Sequence, residues 1–208
     1  MKVLTLLAQK GGAGKSTLAL HWAVEAERSG KRRVVIIDMD PQASAASWYE
    51  KRNGDTPVLV QVEEGGLPDA IEACRTDGVD WVLMDTPPHM EARSVAAARV
   101  ADLVVIPTRP TVLDLEAIGA SVEVVEAVKK PAAIILNACP PRSAVTDDAR
   151  AALQAYGLPI CPTAIVQRVA LQYALTDGRA ACELEPRGKA AAEIAATWHW
   201  ITQQSRKV

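Results

Sequence analysis

A doubly wound α/β domain, with a mainly parallel sheet and helices on both faces, is the fold class this sequence predicts, and three observations predict it. Short aliphatic runs alternate with helical patterns from end to end, as in strands joined by helical crossovers. Several of these runs are apolar throughout, as strands covered on both faces are. The chain has 208 residues, 49% hydrophobic and 23% charged. That suits one such domain over residues 1–208 and excludes wholesale disorder.

Taken in order, Lys2–Ala8 is the first strand. A glycine-rich segment, Gln9–Thr17, leads from it into a helix with Leu18, Trp22 and Ala26 on one face. Arg33–Asp38 is the second strand, Val58–Val62 the third, Trp81–Asp85 the fourth and Leu103–Ile106 the fifth. A helix with Leu115, Ile118, Val122 and Val125 on one face follows, then Ala132–Asn137 and, as a seventh strand, Ile160–Thr163. The last helix, Gly188–Gln204, carries Ala191, Ile194, Ala195, Trp198 and Ile201 on one stripe. With no Phe and only 4% aromatics, the core is built mainly from Val, Leu, Ile and Ala. Ligands of such sheets bind beyond the carboxyl ends of the strands.

Composition narrows the function classes. No apolar run approaches the length of a membrane-spanning helix, and Val3–Ala8 is too short for a signal-peptide core. Four cysteines without a CxxC pair predict reduced thiols in a cytosol rather than disulfides or a zinc site. The net charge of −2 conceals an asymmetry: from Lys129 onward ten Lys and Arg face six Asp and Glu. A C-terminal part of that kind can meet a polyanion, although ordinary surface variation produces the same excess.

The segment Lys10-Gly11-Gly12-Ala13-Gly14-Lys15-Ser16-Thr17 stands where a phosphate loop stands, after a strand and at a helix start. Its glycines let backbone N–H groups point at phosphate oxygens, and the helix N-terminus adds partial positive charge. Lys15 would reach the outer phosphates and Ser16 would bind Mg²⁺. The general pattern wants a glycine where this chain has Gln9, and Lys10 is an added lysine. Asp38-Met39-Asp40-Pro41-Gln42 ends the second strand and Asp85-Thr86-Pro87-Pro88 the fourth. Carboxylates there can hold a metal or orient water, while Asp and Pro after a strand are also common turn residues.

These motifs resemble the deviant Walker A ATPases of the ParA/MinD group, and above all the small ParA-type partition proteins, over essentially the whole chain. The resemblance implies a P-loop NTPase fold, ATP and Mg²⁺ as cofactors, and slow basal hydrolysis. It implies Lys10 acting across a dimer interface on the partner's nucleotide, Lys15 on its own, and Asp40 activating the hydrolytic water. Asp85 and Ser16 would hold Mg²⁺, Asp38 would support the metal and its switch, and Thr86-Pro87-Pro88 would form a second switch. His89 beside it can be a base or a surface loop residue. Asn137, a candidate reader of adenine, equally suits a turn before prolines. Pro162, with Thr163, lies where relatives wall the base. Pro107-Thr108-Arg109-Pro110 resembles the family's dimer-facing loop.

By the same resemblance an ATP-bound homodimer would contact DNA without sequence preference through Arg168, Arg187 and Lys189. A centromere-binding or adaptor protein would stimulate hydrolysis, segregating plasmid or chromosomal DNA in a nucleoid-associated, cytoplasmic setting. Solvated helix-end charge explains those three residues equally well. Alternatives are a MinD-like membrane or cargo-positioning ATPase, and a P-loop small-molecule kinase or synthetase. A membrane role is disfavoured because the last helix needs its apolar stripe to cover the sheet. An iron–sulfur reductase is set aside because no cysteine lies between Cys74 and Cys139.

Overall fold

The computed structural model describes residues 1–88 and 92–207. Its six strands are β1 (Lys2–Leu6), β2 (Val34–Asp38), β3 (Val58–Gln61), β4 (Trp81–Asp85), β5 (Leu103–Thr108) and β6 (Ala132–Leu136). They form one parallel sheet in the order β3-β2-β4-β1-β5-β6. In register, Leu6 and Asp38 both pair with Asp85. The carboxyl ends of β1, β2 and β4 therefore share one level.

Two helical layers cover the sheet. Helices α1 (Lys15–Gly30), α2 (Ser44–Lys51), α7 (Val169–Thr176), α8 (Ala181–Leu184) and α9 (Lys189–Gln204) lie on one face. They bury Leu4, Leu6, Ile36, Leu83 and Val105. Helices α3 (Leu67–Thr76), α4 (Ala92–Val100), α5 (Val112–Val128) and α6 (Ala144–Leu153) cover the other face, over Val3, Ile37, Met84, Val104 and Ile106. Alternate strand residues thus serve opposite layers, which is why β2, β4 and β6 read as continuous apolar runs. Burial of this aliphatic surface stabilises the fold at roughly 25 cal/mol per Å².

Trp22 and Trp48 satisfy their indole N–H groups as they enter the core. Trp22 is fully buried and its Nε1 donates to Thr197 Oγ1 at 3.0 Å, tying α1 to α9. Trp81 and Trp198 meet edge to face with ring centroids 4.9 Å apart. The α9 stripe Ala191, Ile194, Trp198 and Ile201 is buried against the sheet. Among the described residues no helix is long and apolar enough to cross a membrane.

The expected seventh strand, Ile160–Thr163, is not a strand. Only Ile160 bridges β6, at Ile134, and the chain touches the sheet edge again where Val166 meets Cys139. Pro159 precedes the segment and Pro162 lies within it, and a residue without an N–H cannot carry the ladder on. Element ends elsewhere shift by one or two residues: β1 stops at Leu6, β5 runs on to Thr108, and Gly188 caps α9 rather than belonging to it.

Candidate nucleotide site

The glycine-rich segment turns between the end of β1 and the start of α1, and two of its glycines are required by its shape. Gly14 caps α1 at φ 100°, and a Cβ there would lie 2.1 Å from Asn137 Nδ2. Gly12 has φ 78°, and a Cβ on it would press on the Arg109 guanidinium at 3.3 Å. Only glycine adopts such conformations without strain. Gly11, by contrast, has ordinary room, with Pro88 Cβ 3.9 Å from its Cβ position. Ala13 is buried, and its carbonyl accepts a hydrogen bond from Asn137 Nδ2 at 2.8 Å. Ser16 and Thr17 follow on the first turn of α1, where backbone N–H groups lack helical partners.

Lys15 is buried and its Nζ donates to the Ala8 carbonyl at 3.3 Å. Burial pulls its pKa below the ordinary lysine range, while Asp85 and Asp40 pull it back. Asp85 is completely buried, and neither carboxylate oxygen has a hydrogen-bond partner among the described residues. Desolvation pushes its pKa up to about 7; Ser16 and Lys15 lower it, and Asp38 and Asp40 raise it further. An unpartnered buried carboxylate is costly in isolation. A cation beside Asp85 and the Ser16 hydroxyl would remove that cost, so these residues fit a Mg²⁺ ion. The described residues contain no set of three His, Cys, Asp or Glu side chains able to cage a metal unaided. Mg²⁺ usually takes only one or two carboxylates, with phosphates and water completing its shell.

Asp38 uses its carboxylate differently. Its Oδ1 accepts from the Asp40 N–H at 3.0 Å and its Oδ2 from the Ala46 N–H at 3.2 Å. It pins both ends of the loop leading into α2. Burial raises its pKa and those backbone bonds oppose the rise. Asp40, on that loop, accepts from the Gln42 N–H at 2.9 Å and faces the cavity in front of the glycine loop. Thr86 Oγ1 donates to the Leu6 carbonyl at 2.7 Å, and Pro88 lines the cavity. His89 lies outside the described residues.

Lys10 points away from its own loop, to Asp114 on α5, at 3.1 Å. The same Asp114 oxygen accepts from Thr111 Oγ1, and Thr111 caps α5. Arg109, between the buried prolines Pro107 and Pro110, lays its guanidinium over Gly12 and joins the cavity wall.

The cavity has a volume of about 470 Å³, within the range of small-ligand sites. It holds Gly11, Gly12, Gly14, Lys15, Ser16, Asp40 and Asn137 together. Pro162 is not among them. It lies in a separate depression beside Arg150, whose Nη2 donates to the Pro162 carbonyl at 3.1 Å. Because the proline-interrupted segment kinks, the chain beyond β6 reaches the cavity four residues later. Val166, Gln167 and Leu171 form that wall. Sequence reasoning missed these residues; the second apolar pair, Ile165-Val166, was the available signal.

Arg168 also reaches the cavity rim, but its guanidinium is paired with Glu193 of α9. Arg187 and Lys189 are exposed at the start of α9 and do not line the cavity.

The CobQ/CobB/MinD/ParA nucleotide-binding domain matches residues 4–180 of this sequence. The maintenance of carboxysome distribution protein A of Gloeobacter kilaueensis is 31% identical over 210 residues, covering 98% of this chain and 93% of its own. The protein of that name from Halothiobacillus neapolitanus is 28% identical over 192 residues, 88% of each chain. The chromosome-partitioning ATPase Soj of Thermus thermophilus is 33% identical over 155 residues, covering 61% of this chain and 62% of its own. Among solved structures, a chain of the MinC:MinD cell division protein complex of Aquifex aeolicus superposes with a TM-score of 0.82. It is 18% identical, over 98% of this chain and 96% of its own. Apo McdA of Cyanothece gives 0.76 at 19% identity, over 96% and 98%.

Proposed function

Because the chain belongs to the CobQ/CobB/MinD/ParA nucleotide-binding family, we propose that it is a ParA-type positioning ATPase, switched between DNA-bound and free states by ATP. The observation that carries this reading is the unpartnered Asp85 carboxylate beside Lys15 and Ser16, at the foot of a loop shaped by Gly12 and Gly14. Backbone N–H groups of Gly11–Ser16 cradle the phosphates. Lys15 neutralises them, and Ser16 with Asp85 holds Mg²⁺, which offsets developing charge on the phosphates. Asp40 orients the attacking water, on a loop whose shape Asp38 fixes. Asn137, anchored on Ala13, turns its remaining oxygen to the adenine edge.

Lys10 supplies charge across a sandwich dimer, for which it exchanges Asp114 for the partner's nucleotide. The dimer binds DNA through phosphates, and a partner protein stimulates hydrolysis and release. The cargo is a DNA element, as for Soj, or a protein-shelled body. Two relatives matched over most of their length bear carboxysome-distribution names, and they favour the second. The burial of the α9 stripe leaves no apolar face of that helix for a membrane.

The test measures hydrolysis and binding to random-sequence duplex DNA with ATP, ADP or no nucleotide. Binding at moderate salt with ATP alone is expected, lost as salt rises. Hydrolysis without DNA binding in any state overturns the DNA-based part, and absence of nucleotide binding overturns the whole. Lys10→Ala is expected to abolish the ATP-dependent dimer seen by light scattering while leaving nucleotide binding by the monomer measurable. An unchanged dimer removes the role in trans.

A further inference from the structure

At the opposite end of the strands from the nucleotide cavity lies a second cavity, of about 460 Å³. Its floor includes the buried rings of Trp81 and Trp198, and its rim carries Lys2, Arg32 and Arg206 against the single carboxylate of Asp80. Exposed Lys31 and Arg33 flank Arg32 in the chain, and exposed Lys207 follows Arg206. Three elements distant in sequence therefore bring six cations to one face. The topology does this. Lys2 and Val34 both pair with Trp81 across the adjacent strands β1, β4 and β2, which places Lys2 and the Lys31–Arg33 turn about 10 Å apart, two inter-strand spacings. Among the described residues only Arg32 of these six has an ion-pair partner, Asp80 at 3.4 Å. Two further carboxylates are nearby: exposed Asp77, beside Gly78, toward which the Arg33 guanidinium extends, and Asp102, whose Oδ2 accepts from the Val3 N–H at 2.7 Å.

We infer that this basal face is the phosphate-contacting surface for duplex DNA. The inference rests on the DNA-binding reading above and relocates its contacts. Of the residues the sequence offers for that role, Arg168 is committed to Glu193, and Arg187 with Lys189 supplies only two charges. Six cations outnumber the three nearby carboxylates here, Asp77, Asp80 and Asp102, and phosphate contacts need charge rather than a shaped pocket. A lipid surface fits less well. Of the exposed large apolar residues, Met1 lines this cavity while Val58, Val60, Val112, Leu113, Val145, Val169 and Tyr173 do not, so one side chain is available to insert among acyl chains. The strands separate this face from the nucleotide by about 16 Å, five residues at the usual rise. In the proposed sandwich dimer the two basal faces point away from each other. ATP therefore acts on this surface by letting one particle bridge two duplexes or two stretches of one long duplex, a single face binding detectably only at low salt.

The experiment measures the affinity of the full chain for a random-sequence duplex across a salt series, with a non-hydrolysable ATP analogue. The variants are Lys31→Gln/Arg33→Gln/Arg206→Gln and, separately, Arg187→Gln/Lys189→Gln. Light scattering with the analogue monitors folding and dimer closure in each, and Lys31→Gln/Arg33→Gln stands in if the triple variant does not fold. The basal triple variant is expected to bind roughly tenfold or more weakly, with a salt slope shallower by about 3; the pair alone lowers it by about 2. The α9 variant should stay within about twofold of the parent. Unchanged affinity and slope in the basal variant, with the parent binding normally, overturns this assignment and leaves the DNA reading intact. A parent that hydrolyses ATP but binds no DNA overturns both. Loss of co-sedimentation with phosphatidylglycerol vesicles but not of DNA binding marks a lipid-reading face and also overturns it.

Discussion

At Asp85 the fold accepts a cost. With a pKa near 7 in the folded chain against an ordinary 3.8, the group favours the folded state while protonated. That stability is fully present below about pH 3.8 and is lost as pH rises through 7. At pH 8 an ionised carboxylate sits buried without a partner. Asp85→Asn is therefore expected to raise the Tm of the ligand-free protein at pH 8 and to abolish the further rise given by Mg²⁺ with nucleotide. Scanning calorimetry with and without ligand checks both signs. A lowered ligand-free Tm with ligand stabilisation intact contradicts the argument. Asp85 was legible in the sequence because a strand end and a following turn fix its place locally, as they do for Asp38, Lys15 and Ser16. Pro162 falls outside the cavity because the chain kinks where Pro159 and Pro162 itself interrupt the pairing with β6.

Among the elements, α1 carries the glycine loop at its start and is held at its middle by His21, which is fully buried. Its Nδ1 accepts from the Ala181 N–H at 3.2 Å, so Nε2 carries the proton and donates to the Leu171 carbonyl at 3.1 Å. One neutral ring thus joins α1 to α7 and α8, and Leu171 is itself a wall of the nucleotide cavity. Burial lowers the His21 pKa from 6.5 to about 4. The unfolded chain then binds the extra proton, so this stability is full above about pH 6.5 and falls as pH drops toward 4. About 2 kcal/mol is gone by pH 5. Urea unfolding is expected to show that loss in the parent and a flatter pH profile in His21→Gln. Equal slopes would assign the pH dependence to other groups. Nothing in the sequence marks His21 as this junction, because its partners lie 150 and 160 residues away. The Arg168–Glu193 pair is hidden likewise, requiring α9 to dock first.

For the whole molecule, the alternation of strands and helices fixed the layers in advance, while the surfaces depend on topology. The basal cations belong to segments that no local pattern groups, and they meet because β2, β4 and β1 are neighbours. The other prominent surface is apolar. Val112 and Leu113 are 70% and 67% exposed at the start of α5, within two residues of the Asp114 that holds Lys10. In the proposed dimer this face closes against its copy. Val112→Ser/Leu113→Ser is expected to raise the protein concentration needed for the ATP-dependent dimer about tenfold or more, roughly 1.4 kcal/mol or above. Sedimentation velocity measures it, and an unshifted concentration places the interface elsewhere.

The unpartnered carboxylate also has a bearing on the protein's lifetime. Of all the forms the chain adopts, the one without nucleotide and cation carries the least stability, and proteolysis samples transiently opened molecules first. On the proposed function, ligand-free copies are thus expected to be digested first in limited proteolysis, and Mg²⁺ with nucleotide to slow their cleavage.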